Sequence, residues 1–130
     1  MRMRRTPIAL RAFTLIELLV VMSIVALLLS IAVPRYFGSL ERSKDVTLQQ
    51  NLRVLRDTLD KFYADKGRYP QSLDELVTQK YLRAVPVDPM TESATTWIEL
   101  PAADASQKGI GNVISGAQGK TQNGIPYEKL

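Results

Sequence analysis

The apolar run from Phe13 to Val33 constrains this chain more than any other feature. Its only polar side chains are Thr14, Glu17, Ser23 and Ser30, and it contains no Lys or Arg. About 20 mostly apolar residues suffice to cross a bilayer as a helix. A carboxylate inside such a segment costs on the order of 2–3 kcal/mol at the membrane centre and less near the interface, so Glu17 calls for a functional explanation. The run itself supplies no cation to pair with it.

The flanks orient the segment. Residues 1–12 carry Arg2, Arg4, Arg5 and Arg11 and no acid, so this end stays cytoplasmic under the positive-inside rule and the chain after Val33 lies across the membrane. Cleavage between Ala12 and Phe13 would create an amine four residues before Glu17, about 6 Å along a helix axis, and a neighbouring subunit's amine could come closer. Two other readings stand beside this one. Ser30-Ile31-Ala32 offers small residues to a conventional signal peptidase, although the run is long for a secretory signal. The segment could also be a plain uncleaved anchor. Neither accounts for Glu17.

Phe13-Thr14-Leu15-Ile16-Glu17, after a short basic leader and before a long apolar helix, resembles the processing signal of type IV pilins and type II secretion pseudopilins. The resemblance implies that a prepilin peptidase cuts between Ala12 and Phe13 and methylates the Phe13 amine. It also implies that Glu17 pairs with the N-terminus of an adjacent subunit in a filament. One residue departs from the family pattern: Ala12 stands where Gly is usual, and Ala is the nearest substitute in size.

The rest of the chain is small. Residues 1–12 form the leader, 13–35 the membrane and filament-core helix, and 36–130 a periplasmic globular domain with room for only a modest core. The formal charge of +4 belongs to the leader, because residues 13–130 carry 13 basic and 13 acidic side chains. The basic balance therefore gives no argument for nucleic acid.

Pro34 removes one backbone donor and is expected to kink the helix without ending it. Phe37, Leu40, Leu48, Leu52, Leu55, Leu59 and Phe62 then continue at helical spacing, which draws one apolar stripe. Glu41, Arg42, Lys44, Asp45, Arg53, Arg56, Asp57, Asp60 and Lys61 fall between them as a solvated face. One helix from Thr14 to about Ala64 would be roughly 75 Å long. Gly67 ends it, and Pro70 biases Tyr69 toward extended backbone. Ser72-Leu73-Asp74-Glu75 reads as a capping box opening a short helix to about Lys80, with Leu73, Leu76 and Val77 inward. Strands are expected at 95–100 and 110–115, with a third short one at 125–127. The fold class is α+β: a long helix, a short helix and a small antiparallel sheet packed on the C-terminal half of the first. Gly67-Arg68-Tyr69-Pro70, Tyr81-Leu82, Pro86-Val87-Asp88-Pro89, a Trp97 strand and Ser115-Gly116-Ala117 follow in an order that is similar to the major pseudopilins of this family.

Chemistry is constrained by what the chain lacks. With no Cys and no His, thiol and Ser-His catalysis, Cys/His zinc sites and disulfides are excluded. Asp74-Glu75 suits a helix N-terminus, and Asp57 with Asp60 lies on the solvated face. Gly109-Ile110-Gly111 and Gly116-Ala117-Gln118-Gly119 do not sit between a strand and a helix as a phosphate loop requires. No enzyme and no cofactor is expected. The resemblance implies calcium in an acidic C-terminal loop. Asn112, Ser115 and Asn123 stand there, but no Asp or Glu occurs between Gly109 and Tyr127, so no ligands carry over.

These readings converge on a structural filament subunit of a type II secretion pseudopilus. Phe13 supplies the amine, Glu17 the counter-ion, and residues 18–33 the contact surface. The implied partners are copies of the chain, other pseudopilins, a prepilin peptidase, an inner-membrane assembly platform and a secretion ATPase. The alternatives are a type IV pilus or minor pseudopilin subunit, and a monomeric membrane-anchored binding module. Glu17 separates the last from the others, since a monomer offers that carboxylate no partner.

Overall fold

The structure is a computed structural model, and it describes residues 2–4 and 12–130. The chain divides into two units, Met1–Phe37 and Gly38–Leu130. The fold is α+β: helix α1 (Leu15–Lys66), helix α2 (Leu73–Thr78), strands β1 (Ile98–Pro101) and β2 (Ile110–Ile114), and a terminal 3-10 turn at Tyr127–Lys129.

α1 continues through Pro34. It stops where Gly67 takes φ +70°, a left-handed value that glycine adopts without a Cβ clash. Its stripe is buried from Leu48 through Leu52, Leu55 and Leu59 to Phe62, each at most 1% exposed. Leu73, Leu76, Trp97, Ile110 and Val113 complete one core cluster with them. Phe37 and Leu40, at the upper end of the stripe, remain exposed. What reaches that height is polar: Gln122 donates from its carboxamide to the Gly38 carbonyl and to Glu41.

Two supposedly solvated charges belong to the packed side instead. Asp45 is buried and accepts from the Gln122 amide at 2.9 Å. Arg56 is half-buried and donates to Asn112 Oδ1 and to the carbonyls of Val113 and Leu130. Asp45 lies three residues before Leu48, so it continues the spacing of the stripe.

α2 begins as expected at Ser72, whose hydroxyl accepts from the Glu75 N–H. The return bond differs. The Glu75 carboxylate accepts from the Gln71 N–H at 2.7 Å and from Arg68 at 2.6 Å. The helix ends at Thr78, short of Lys80, because Lys80 itself adopts φ +66° and the Tyr81 N–H turns back to the Leu76 carbonyl.

The sheet is a single antiparallel pair, with Ile98 opposite Ile114 and Leu100 opposite Asn112. The register slips between Leu100 and Pro101. Gly111 lies at that slip, and a Cβ there would stand 2.4 Å from Ala102 Cα. β1 starts three residues later than expected, because side chains engage the preceding backbone. Thr95 donates its N–H to Ser93 Oγ, Thr91 and Thr96 share a hydroxyl bond, and the Trp97 indole donates to the Pro86 carbonyl at 2.7 Å. The expected third strand does not form. Pro126 makes only an isolated bridge with Lys120, and the chain turns into the 3-10 helix, consistent with the fixed φ and missing donor of proline.

Candidate assembly site at the N-terminal helix

Ala12, Phe13 and Thr14 precede the first turn of α1 and are exposed, Phe13 to 87%. The scissile bond inferred from the sequence therefore lies in accessible, non-helical backbone. Arg5 and Arg11 of the leader lie outside the described residues.

Thr14 caps α1. Its hydroxyl accepts from the Glu17 N–H at 3.1 Å, its carbonyl accepts from the Leu18 N–H at 3.1 Å, and the Glu17 carboxylate accepts from the Thr14 N–H at 3.4 Å. This is a reciprocal capping box, with Thr at the cap and Glu three residues on. Glu17 thus bonds within its own first turn, to a neutral N–H.

The remaining polar groups of the run are satisfied in the same local way. Ser23 Oγ donates to the Leu19 carbonyl and Ser30 Oγ to the Ala26 carbonyl, each at 2.8 Å. The apolar side chains have no such partners. Leu15 is 85% exposed and Leu27 64%, and the most apolar window of α1 is 0% buried while being long and apolar enough to cross a membrane. A helix that is apolar all round and unburied is built for lipid or for other helices.

Elsewhere the side chains serve the fold. Asp57 and Asp60 are exposed along α1. Glu75 is held below the usual carboxylate range by its bond from Arg68 and then by the Gln71 N–H. Burial pushes the Tyr127 phenol up, assisted by the charges of Asp45, Glu41 and Asp88. Asp88, which the motif reading did not single out as chemistry, is fully buried; it accepts a short hydrogen bond from Ser115 and one from the Met90 N–H at 2.9 Å. Its burial beside two prolines leaves no periodic signal in the sequence. Among the described residues no group of three or more acidic side chains could hold a metal ion. Ser115, one of the residues in the region where the resemblance implies calcium, is committed to Asp88 and to the Ala117 N–H. The donor set does not fit a calcium ion.

Residues 11–33 match the family described as the prokaryotic N-terminal methylation motif. The chain is 36% identical over 66 residues to the type IV major pilin protein PilA of Myxococcus xanthus, covering 51% of this chain but only 30% of that pilin. It is 33% identical over 95 residues to the type II secretion system core protein G of Klebsiella pneumoniae, covering 61% of this chain and 68% of that protein. The corresponding protein of Klebsiella michiganensis is 30% identical over 95 residues, with 67% of it covered. No solved structure matches. The chain belongs to the type IV pilin and type II secretion pseudopilin family, whose members are structural subunits.

Proposed function

We propose that the chain is a subunit of a periplasmic pseudopilus serving type II protein secretion, of the protein G kind. The leader faces the cytoplasm, the apolar part of α1 spans the inner membrane, and residues 36–130 lie in the periplasm. A prepilin peptidase cuts between Ala12 and Phe13 and methylates the new amine. Copies of the chain then bundle through residues 18–33, with Glu17 neutralising the Phe13 amine of a neighbour and Pro34 kinking the helix below the bundle. Other pseudopilins, an assembly platform and a secretion ATPase complete the apparatus.

The observation that carries this reading is the unburied apolar surface of α1, on a segment that also bears the methylation motif. A matched region of 95 residues with the protein G relatives is longer than α1 itself, which favours the pseudopilin reading. The Myxococcus pilin match favours a second reading, a type IV pilus subunit.

The test is Glu17→Val in the full chain. Leaving one charge of a buried pair alone costs about 3–5 kcal/mol, so the variant should insert and be cleaved as wild type yet yield no filaments on shearing. Intact mass should place the mature end at Phe13 with one added methyl group. Normal filaments from processed Glu17→Val would remove the ion pair. A mature end at Val33 would remove the whole scheme. Loss of enzyme export on deletion, with no surface pili lost, separates the pseudopilus from the pilus.

A further inference from the structure

We infer that the C-terminal loop, residues 115–127, is fastened to α1 by Asp45 and Gln122 in place of a metal ion, so that the folded subunit does not depend on calcium. This closure is a property of the single chain. Its consequence for assembly, a subunit surface completed without a divalent cation, rests on the pseudopilus reading; the closure itself does not.

The loop is first closed on itself. Residues 121–124 form a tight turn, in which the Gly124 N–H donates to the Thr121 carbonyl at 2.9 Å. Gly124 takes φ +82°, a value open to glycine without a Cβ clash. The Thr121 N–H donates to the Ile125 carbonyl at 2.8 Å, and the Ile125 N–H returns to the Thr121 hydroxyl at 3.2 Å. Thr121 is buried, so the turn is packed on the domain and is not a solvated flap.

One residue then ties the turn to α1 at three points. The Gln122 main-chain N–H donates to the buried Asp45 carboxylate at 2.9 Å. Its carboxamide donates to the Gly38 carbonyl at 3.1 Å and to Glu41 at 3.2 Å. At the start of the loop the buried Ser115 donates its hydroxyl to Asp88 and accepts from the Ala117 N–H.

These bonds use the oxygens that a metal would need. Calcium takes about six to eight oxygen ligands, carboxylates among them. Both oxygens of Asp88 already accept, one from the Met90 N–H and one from Ser115. Asp45 and Glu41 each accept from Gln122. Lys44 and Lys120 line the same cleft as these two acids, so two ammonium groups balance two carboxylates and oppose a divalent cation. A hydrogen bond to a carboxylate is stronger than one between neutral groups. Leaving a buried carboxylate without its donor is costly. The Asp45–Gln122 bond is therefore the one whose loss frees the loop.

Amide hydrogen exchange on the full chain in detergent micelles tests this, with millimolar calcium in one arm and chelator in the other. In wild type the amides of residues 119–127 should exchange at the same rate in both arms. Asp45→Ala removes the acceptor of the Gln122 N–H. It should speed exchange at Thr121, Gln122 and Gly124 roughly tenfold or more, with no recovery in calcium. Amides of α2 and β2 should keep their wild-type rates, which separates loop release from unfolding. Asp45→Asn retains an acceptor oxygen and should lie between Asp45→Ala and wild type. Gln122→Ala keeps the main-chain donor and loses only the carboxamide ties, so a smaller acceleration is expected. If Asp45→Ala unfolds the domain, Gln122→Ala decides alone. Exchange of the wild-type loop that slows in calcium overturns the inference. So does an unchanged loop in both Asp45→Ala and Gln122→Ala, or in Gln122→Ala where it decides alone. Absence of filaments from sheared wild-type cells would count against the pseudopilus reading and leave these rates untouched.

Discussion

The two ends of α1 follow opposite rules. From Leu48 to Phe62 the apolar residues recur at spacings of three and four and are at most 1% exposed. From Leu15 to Val33 they occupy every side of the helix, and none of those exposed is less than 43% accessible. The polar groups reverse the pattern. In the apolar run Thr14, Glu17, Ser23 and Ser30 bond within one turn of themselves. In the lower helix Asp45 reaches the Gln122 N–H and Arg56 reaches Asn112, Val113 and Leu130. One end is complete in hydrogen bonds and wants apolar surroundings; the other has its apolar surroundings and uses its polar groups to hold distant chain. The cohesion of the first end lies outside the chain, and that of the second lies within it.

The sharpest way to break this comparison is to truncate one apolar residue in each end. Phe62 is fully buried, with Tyr81 edge-on at 5.1 Å and the Arg68 guanidinium 5.2 Å from its ring centroid. Phe62→Ala removes a large core side chain and should cost about 3–5 kcal/mol. In a domain of this size that lowers the melting temperature by roughly 12 °C or more. Leu27→Ala should leave melting of the full chain in detergent unchanged, because Leu27 is 64% exposed, and should weaken filaments instead. Comparable melting losses from both variants would mean that the apolar run is held by its own domain.

Legibility in the sequence followed the same division. The long helix, the stripe from Leu48, the stop at Gly67 and the cap at Ser72 are local events with periodic or positional signals, and they were readable. The Thr14–Glu17 reciprocal bond also has a positional signal, since Thr-x-x-Glu before an apolar run is a capping signature. What the sequence concealed was non-local. Asp45 resembles its charged neighbours until Gln122 is placed 77 residues later against it. Thr95-Thr96-Trp97 has strand propensity, but Ser93, Thr91 and Pro86 take their hydrogen bonds.

Asp88 tests whether the polar side of the comparison holds when the carboxylate is fully buried. It accepts from the Ser115 hydroxyl and the Met90 N–H. Asp88→Ala leaves both donors without a partner in the interior, which should cost about 2 kcal/mol. Asp88→Asn keeps an acceptor for one of them and should recover part of that loss. Chemical denaturation of the full chain in detergent measures both. Equal stability of Asp88→Ala and wild type would show that the loop repacks and that the buried carboxylate is dispensable.

The smallest effect concerns Glu75, where a surface pair replaces the buried contacts above. Arg68 donates to it at 2.6 Å and the Gln71 N–H at 2.7 Å, and both hold its carboxyl below the ordinary carboxylate range. A carboxyl with a lower pKa folded than unfolded adds stability above its unfolded pKa. That stability fades as pH falls through the folded value, where both states are protonated. Exposed pairs contribute little because water and salt screen them, so the expected signature is a pH dependence of melting more than a large drop. At neutral pH Glu75→Gln should melt slightly below wild type. As pH falls through the folded pKa the two curves should converge, and added salt should narrow the neutral-pH gap by screening the Arg68 contact. The Gln71 bond sets the limit of that screening, since a neutral N–H donor loses less to ions than a guanidinium does. A gap that is constant from neutral to strongly acid pH would show that Glu75 acts through packing at the start of α2, and would place this surface corner with the apolar core in the comparison.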